Sequence, residues 1–186
     1  RDVLGSRGLG DVYKRQTKRS TDFNMQEKSV PSDGVITGYG LIQNNPVYVY
    51  SQDASALNGT IGEMHARKIA HIYELAMKTG VPVIGLIDCA GMRLQEATDA
   101  LAGFGQIYQM KAKASGVVPQ ISAIFGNCGG GVAVMAAMSD FTFMEQKEAK
   151  LFVNSPLSFF RPIDKVGCLE YISVSYTHLT LPTNSR

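Results

Sequence analysis

Apolar and polar residues alternate, cluster and recur at different spacings along this chain, and each spacing names an element. Val35 to Tyr39 and Val47 to Ser51 are short runs rich in β-branched and aromatic side chains, with Gln43-Asn44-Asn45-Pro46 between them. Strand composition on either side of turn chemistry predicts a hairpin. Ile61, Met64, Ile69, Ile72, Leu75 and Ala76 then recur near helical spacing and predict a helix over Gly62 to Lys78. Thr79-Gly80 supplies its stop, with Lys78 in the last turn. Val81 to Ile87 is a continuous apolar run of strand length, the pattern of a strand buried on both faces.

After the polar segment Asp88 to Arg93, Leu94 to Ser115 reads as a second helix, weakened by Gly103 and Gly105. Gly116 introduces a second buried strand, Val117 to Phe125. A glycine-rich turn, Gly126 to Gly131, leads into a helix from Val132 to Met138, and Phe141 to Met144 and Leu151 to Val153 return as strands. The order β-β-α-β-α-β-α-β-β, with strands alternating with helices, predicts a single α/β domain with mostly parallel pairing. No internal repeat at a fixed period interrupts it.

The ends carry neither period. Residues 1–16 and 174–186 resemble translated cloning or sequencing adapter, most clearly in Asp11-Val-Tyr-Lys-Arg-Gln16, and are set aside; a flexible arm and a short C-terminal strand are the alternative. The domain is expected over 17–156, with 157–173 divergent or frameshifted.

Composition narrows the class. With 45% hydrophobic and 18% charged residues, the 186-residue chain is neither collagen-like, coiled-coil nor disordered. Its longest apolar runs reach about half of the ~20 residues that a membrane span needs. The net charge of +2 belongs to the ends, because Asp33 to Ser155 carries eight basic against ten acidic residues. No aromatic residue is interleaved with a Lys/Arg cluster there, so no nucleic-acid partner is expected. Cys89, Cys128 and Cys168 form no C-x-x-C pair, which argues against a disulfide framework and a zinc site and for a reducing, cytoplasmic compartment. The N-terminal residues lack an apolar run followed by a small-residue cleavage site, so no secretory leader is expected.

Two candidate sites share one design. Each buried strand ends in small residues that open a helix: Asp88-Cys89-Ala90-Gly91-Met92 after the first, Gly126 to Gly131 after the second. Ligands of open α/β sheets bind beyond the carboxyl ends of the strands. Free backbone N–H groups there offer preorganised donors to an oxyanion, and Gly or Ala lets a ligand oxygen approach. The plain alternative is that these glycines only make tight turns. No P-loop or G-x-G-x-x-G follows a strand, and no G-x-S-x-G elbow is present. Cys128 reads as a small buried thiol without an assured His partner. His65 and His71 are six apart, off the i, i+4 spacing of a ligand pair, and read as surface or packing residues. Glu63 and Glu96 could act as bases but suit helix starts.

Several ordered segments resemble the carboxyltransferase subunit of biotin-dependent acyl-CoA carboxylases and decarboxylases. They are Asp33-Gly-Val-Ile-Thr-Gly-Tyr-Gly40, Val49-Tyr-Ser-Gln-Asp53, Asp88-Cys-Ala-Gly-Met-Arg-Leu-Gln-Glu96, Ala114-Ser-Gly-Val-Val-Pro-Gln-Ile121, Gly126-Asn-Cys-Gly-Gly-Gly131, and Thr142-Phe-Met144 preceded by Asp140-Phe141. The resemblance spans roughly residues 17–156 and is nearest to the α subunits of sodium-pumping decarboxylases. It implies a crotonase-like fold, a spiral of β-β-α units, and carboxyl transfer between an acyl-CoA, the coenzyme A thioester substrate, and biotin on a separate carrier protein or domain. It further implies a biotin carboxylase or membrane decarboxylase partner subunit, a homo-oligomer, and a location in the cytoplasm, peripheral to the membrane only through such a partner.

In that family the turns matching Ala90-Gly91 and Gly129-Gly130 form the floor of the site, where backbone amides stabilise enolate or ureido oxyanions. Cys89, Met92, Arg93, Cys128 and Gly131, which flank them, are expected to line the substrate. Biotin's own ureido nitrogen can serve as the base, consistent with the absence of a recognisable His or Ser nucleophile. Ala90 stands where the family usually has Gly. Family members carry a second crotonase-like domain that completes each site across a dimer interface, so these residues are expected to be half of a site and to turn nothing over alone. A hydratase-type crotonase reaction needs paired carboxylates, of which only Glu96 is placed. A non-catalytic acyl-CoA-binding module remains the other alternative.

Overall fold

The computed structural model describes residues 31–154; the expectations for residues 1–30 and 155–186 lie outside the described residues. Strands β1 (Val35–Ile42) and β2 (Asn45–Gln52) form the hairpin, in antiparallel register from Val35 opposite Gln52 to Ile42 opposite Asn45. Only two residues connect them. Gln43 and Asn44 both lie at positive φ, 50° and 64°, the paired left-handed geometry whose twist matches that of the strands. The turn is therefore tighter, and the strands longer, than the hydrophobic runs suggest.

Helix α1 (Glu63–Thr79) ends at Gly80, which takes φ 70° and returns its N–H to the Ala76 carbonyl. Strand β3 (Val83–Cys89) follows, then a 3-10 turn (Leu94–Glu96) and helix α2 (Ala97–Ala114). The helix expected from Leu94 begins three residues later, with Ala97 at φ 44°. That kink turns Glu96 inward, to contacts no local pattern announces. Gly103 does not weaken α2, because a Cβ there would lie 2.7 Å from Ala66 Cβ of α1. The glycine is where the two helices come together.

Strand β4 (Gln120–Gly129), helix α3 (Gly131–Ala137), and strands β5 (Phe141–Met144) and β6 (Lys150–Phe152) complete the described chain. The sheet order is β1-β2-β3-β4-β5, every pair after the hairpin is parallel, and β6 follows β5 along the same edge of β4. One expectation is corrected here: Gly126 to Gly129 are strand, not turn. Cys128 pairs with Cys89, and Asn127 to Gly129 pair with Lys150 to Phe152, so ladder bonds available only in the folded sheet hold these glycines extended. Only Gly130 makes the corner, at φ 60°, ψ −129°.

One sheet face packs against α1 and α2. Its core includes Val35, Tyr50, Ile69, Ile72, Tyr73, Val83, Ile87, Ile107 and Ile124. Gly85 lets the Tyr50 ring cross β3, since a Cβ there would sit 2.3 Å from that ring. Within this layer Lys111 Nζ donates to Tyr73 Oη and Ser139 Oγ at 2.9 and 3.0 Å, and burial pulls its amine down to about 8. The register puts Ile36, Ser51, Leu86, Ala123 and Phe143 in one row across the other face. There Ile36, Phe125 and Phe143 remain more than half exposed.

Candidate functional site at the ends of two parallel strands

Strands β3 and β4 run side by side in parallel, so their carboxyl ends deliver Ala90-Gly91 and Gly129-Gly130-Gly131 to the same edge of the sheet. The two turns touch backbone to backbone. A Cβ on Gly129 would lie 2.8 Å from the Ala90 carbonyl oxygen, and one on Gly91 would lie 3.4 Å from that of Gly129. Gly91 takes φ 128° and Gly130 φ 60°, both in the range that L side chains rarely adopt. Between Ile87 and Cys89 the register slips so that β4 carries extra residues. This bulge is held by Asp88, whose Oδ1 accepts the Asn127 N–H at 3.0 Å, and it re-aims the end of β4.

The amides around these turns are not equivalent. Ala90 N–H donates to the Asn58 carbonyl at 3.0 Å, and Gly130 N–H to that of Phe152 at 2.9 Å. Gly91 N–H meets only the weak acceptor Cys89 Sγ, at 3.4 Å. Gly131 N–H, in the first turn of α3, has no acceptor among the described residues. Of the Ala90, Gly91, Gly130 and Gly131 donors, only that of Gly131 is without an acceptor among the described residues, since the Gly91 N–H is turned to the buried Cys89 thiol. The Gly131 carbonyl accepts the Tyr108 hydroxyl at 2.8 Å, and a Cβ at Gly131 would press on Tyr108 and Phe104 at 2.7 and 2.8 Å.

Three residues expected to line the substrate serve the fold instead. Cys89 and Cys128 are fully buried free thiols paired across β3 and β4. Burial pushes the Cys89 thiol up to about 12 and that of Cys128 higher still, so both are neutral packing groups. Arg93 is 2% exposed and lies behind its loop, with Nη1 2.6 Å from Asp33 Oδ1 and 2.8 Å from Glu96 Oε1 and Nη2 2.9 Å from the Thr60 carbonyl. Burial outweighs the attraction of Arg93 and raises the Asp33 carboxyl above its ordinary range. Met92, half-buried, faces Ile61 in an isolated parallel bridge.

His65, likewise, is an interior residue. Its Nδ1 lies 2.9 Å from the Asp33 carbonyl oxygen, an acceptor only, so Nδ1 carries the proton and Nε2 receives the Gln52 amide at 3.2 Å. Burial, reinforced by Arg93, lowers this imidazole to about 3. His71 lies apart, 3.6 Å from Glu74. Glu96 takes the helix-start role rather than that of a base: its Oε2 accepts the Glu63 N–H at 2.7 Å. Asp33, Asn58 and Tyr108 are the positioning groups that sequence reasoning missed; Asp33 and Arg93 are 60 residues apart, and no spacing rule connects them.

On these touching strand ends glycines keep side chains away, and no nucleophilic side chain lies between the turns among the described residues. Comparison with known proteins shows the family. Residues 7–159 match the carboxyl transferase domain family, and the chain belongs to that family. It is 49% identical over 140 residues to the propionyl-CoA carboxylase beta chain of Roseobacter denitrificans, covering 75% of this chain and 28% of that protein. It is 46% identical over 138 residues to methylmalonyl-CoA decarboxylase subunit alpha of Propionigenium modestum, covering 74% of this chain and 27% of that one. Among solved structures, the transcarboxylase 12S hexamer assembly with hydrolysed methylmalonyl-coenzyme A bound superposes with a TM-score of 0.73 at 37% identity, over 85% of this chain and 29% of that one. The chain thus spans less than a third of the length of these relatives, and its fold is the crotonase-like α/β fold.

Proposed function

We propose that the protein containing this chain transfers a carboxyl group between an acyl-CoA and biotin held on a separate carrier protein or domain, and that residues 31–154 supply one half of the site. The observation that carries this reading is the meeting of two small-residue turns at the ends of adjacent parallel strands, with the Gly131 N–H without an acceptor among the described residues. Withdrawing a carboxyl group from, or adding one to, the carbon beside a thioester places negative charge on the thioester oxygen. An oxygen seated over these turns would accept the Gly131 amide at the stage where that charge is largest. Gly91 and Gly130 leave room for its approach, and Ala90 adds only a methyl group at the exposed rim. Biotin, when bound, supplies the carboxyl carrier and its own basic ureido nitrogen. Among the described residues no titratable side chain stands between the two turns, which suits a group that brings its own base.

The sheet face carrying Ile36, Phe125, Phe141 and Phe143 supports a larger assembly, because no described element covers it. This accords with a homo-oligomer whose second half-site comes from further polypeptide, and with a biotin carboxylase or membrane decarboxylase subunit as a functional partner in the cytoplasm. The relatives' names favour a short-chain acyl-CoA, propionyl-CoA or methylmalonyl-CoA, as the substrate class.

The test is carboxyl transfer by the complete protein, measured from methylmalonyl-CoA to free biotin, which releases propionyl-CoA, and in the reverse direction from N-carboxybiotin to propionyl-CoA. Gly91→Val and Gly130→Val are expected to reduce turnover by about 10²–10³ while circular dichroism stays native. Gly38→Ala is the control, since Gly38 lies on β1 with open space around it. Wild-type turnover in both valine variants would remove the oxyanion assignment and leave acyl-CoA binding without catalysis as the better account.

A further inference from the structure

The loop between β2 and α1 holds a run of backbone that L side chains rarely adopt. Leu57, Asn58 and Gly59 lie at φ 50°, 54° and 65°, and only the last is a glycine. The surroundings force this corner. Thr60 donates its N–H and its hydroxyl to the Leu57 carbonyl, at 3.2 and 2.8 Å, and Gly59 N–H donates to the Ala56 carbonyl at 3.0 Å. Gly59 is wedged against the end of β3, where a Cβ would run into the Asp88 carbonyl. Left-handed backbone at residues other than glycine persists where the fold over-determines it, and such positions cluster at ligand sites.

Asn58 is the apex of the corner. Its carbonyl accepts the Ala90 N–H at 3.0 Å, which sets residue 58 on the rim of the first small-residue turn. Gly59 is buried, whereas Asn58 and Ala90 are both exposed. The bond to Ala90 uses only the backbone of residue 58, which glycine would supply with less strain. The Asn58 carboxamide itself makes no hydrogen bond among the described residues. We infer that this carboxamide binds substrate beside Ala90, pairing with a ligand group that presents an N–H and a carbonyl next to each other. A carboxamide carries one acceptor oxygen and two N–H donors on adjacent atoms, so its complement is a secondary amide or a cyclic urea. The inference rests on the function proposed above, in which the pantetheine arm of the acyl-CoA carries the first and the ureido ring of biotin the second.

Asn58→Gly in the complete protein isolates the side chain, because glycine keeps the left-handed backbone and the carbonyl that holds Ala90. Asn58→Asp covers the case in which two successive glycines loosen the corner, since it tolerates the same backbone and lacks only the N–H donors. Equilibrium binding of propionyl-CoA and of free biotin is measured, together with kcat and each KM in carboxyl transfer. The inference requires both variants to weaken one of the two ligands by about three- to tenfold with kcat nearly unchanged, the mark of one hydrogen bond made equally in ground and transition states. Weaker propionyl-CoA binding assigns the pantetheine amide, and weaker biotin binding the ureido ring. Wild-type affinity for both ligands in variants with native circular dichroism would overturn the inference and leave the corner as a support for Ala90. If the wild type transfers no carboxyl group, the reaction proposed above fails and the binding measurements alone decide; a wild type that binds neither ligand overturns this inference as well.

Discussion

The turns at the ends of β3 and β4 are alike in sequence and are held by different physics. Ala90-Gly91 rests on charge: Arg93, Asp33 and Glu96 lie buried behind it and close the start of α1 at the same time. Gly129 to Gly131 rest on shape, with the Phe152 ring against Gly129 and Tyr108 and Phe104 against Gly131. A buried ion cluster is directional but costly to desolvate, so it tolerates no missing partner. An aromatic seat is tolerant of charge and intolerant of volume. The two turns can therefore be disturbed separately.

The largest effect is expected from Arg93→Met, which leaves two carboxylates buried without their cation and should lower unfolding free energy in urea by about 3–5 kcal/mol. Gly129→Ala comes next, because its Cβ would fall 2.8 Å from the Ala90 oxygen and 2.9 Å from the Phe152 ring. It should cost about 1–3 kcal/mol and part the two turns.

Acid separates the two regions further. The folded state holds His65 down at about 3 against an ordinary value of 6.5, so the unfolded chain binds its proton first. Stability from this group is complete above pH 6.5 and is lost as pH falls toward 3, at no more than about 1.4 kcal/mol per pH unit. Urea midpoints measured at pH 7, 6 and 5 should trace this slope, and His65→Gln should flatten it. The smallest effect belongs to the aromatic seat: Tyr108→Phe removes the 2.8 Å bond to the Gly131 carbonyl and should cost about 1 kcal/mol, with little pH dependence. A Tyr108→Phe variant as damaged as Arg93→Met would end the distinction between the two regions.

Much of the fold was legible because its signals are local. The alternation around Gln43-Asn44, the helical spacing ending at Gly80, and the unbroken apolar runs of β3 and β4 each encode an element within one short window. Gly126 to Gly129 misled the reading, since glycines signal a turn by conformational freedom, whereas here they serve close packing. Gly126 lies against the Asp88 carboxylate, where a Cβ would meet it at 2.3 Å, and Gly129 lies against a neighbouring backbone. Gly103 misled for the same reason.

The candidate site divides along the same line. Residue identity alone determined that two small-residue turns follow two parallel strands and that no nucleophile motif accompanies them, because strand period, glycine and motif spacing are properties of neighbouring residues. Which amides stay open was decided only by tertiary structure. Asn58 and Phe152 occupy the Ala90 and Gly130 donors from distant segments, and a hydrogen bond formed across the chain leaves no mark on local spacing. Arg93 and the two cysteines belong to that second category. Their chemistry suits a substrate, and burial against partners far along the chain assigns them to the scaffold instead.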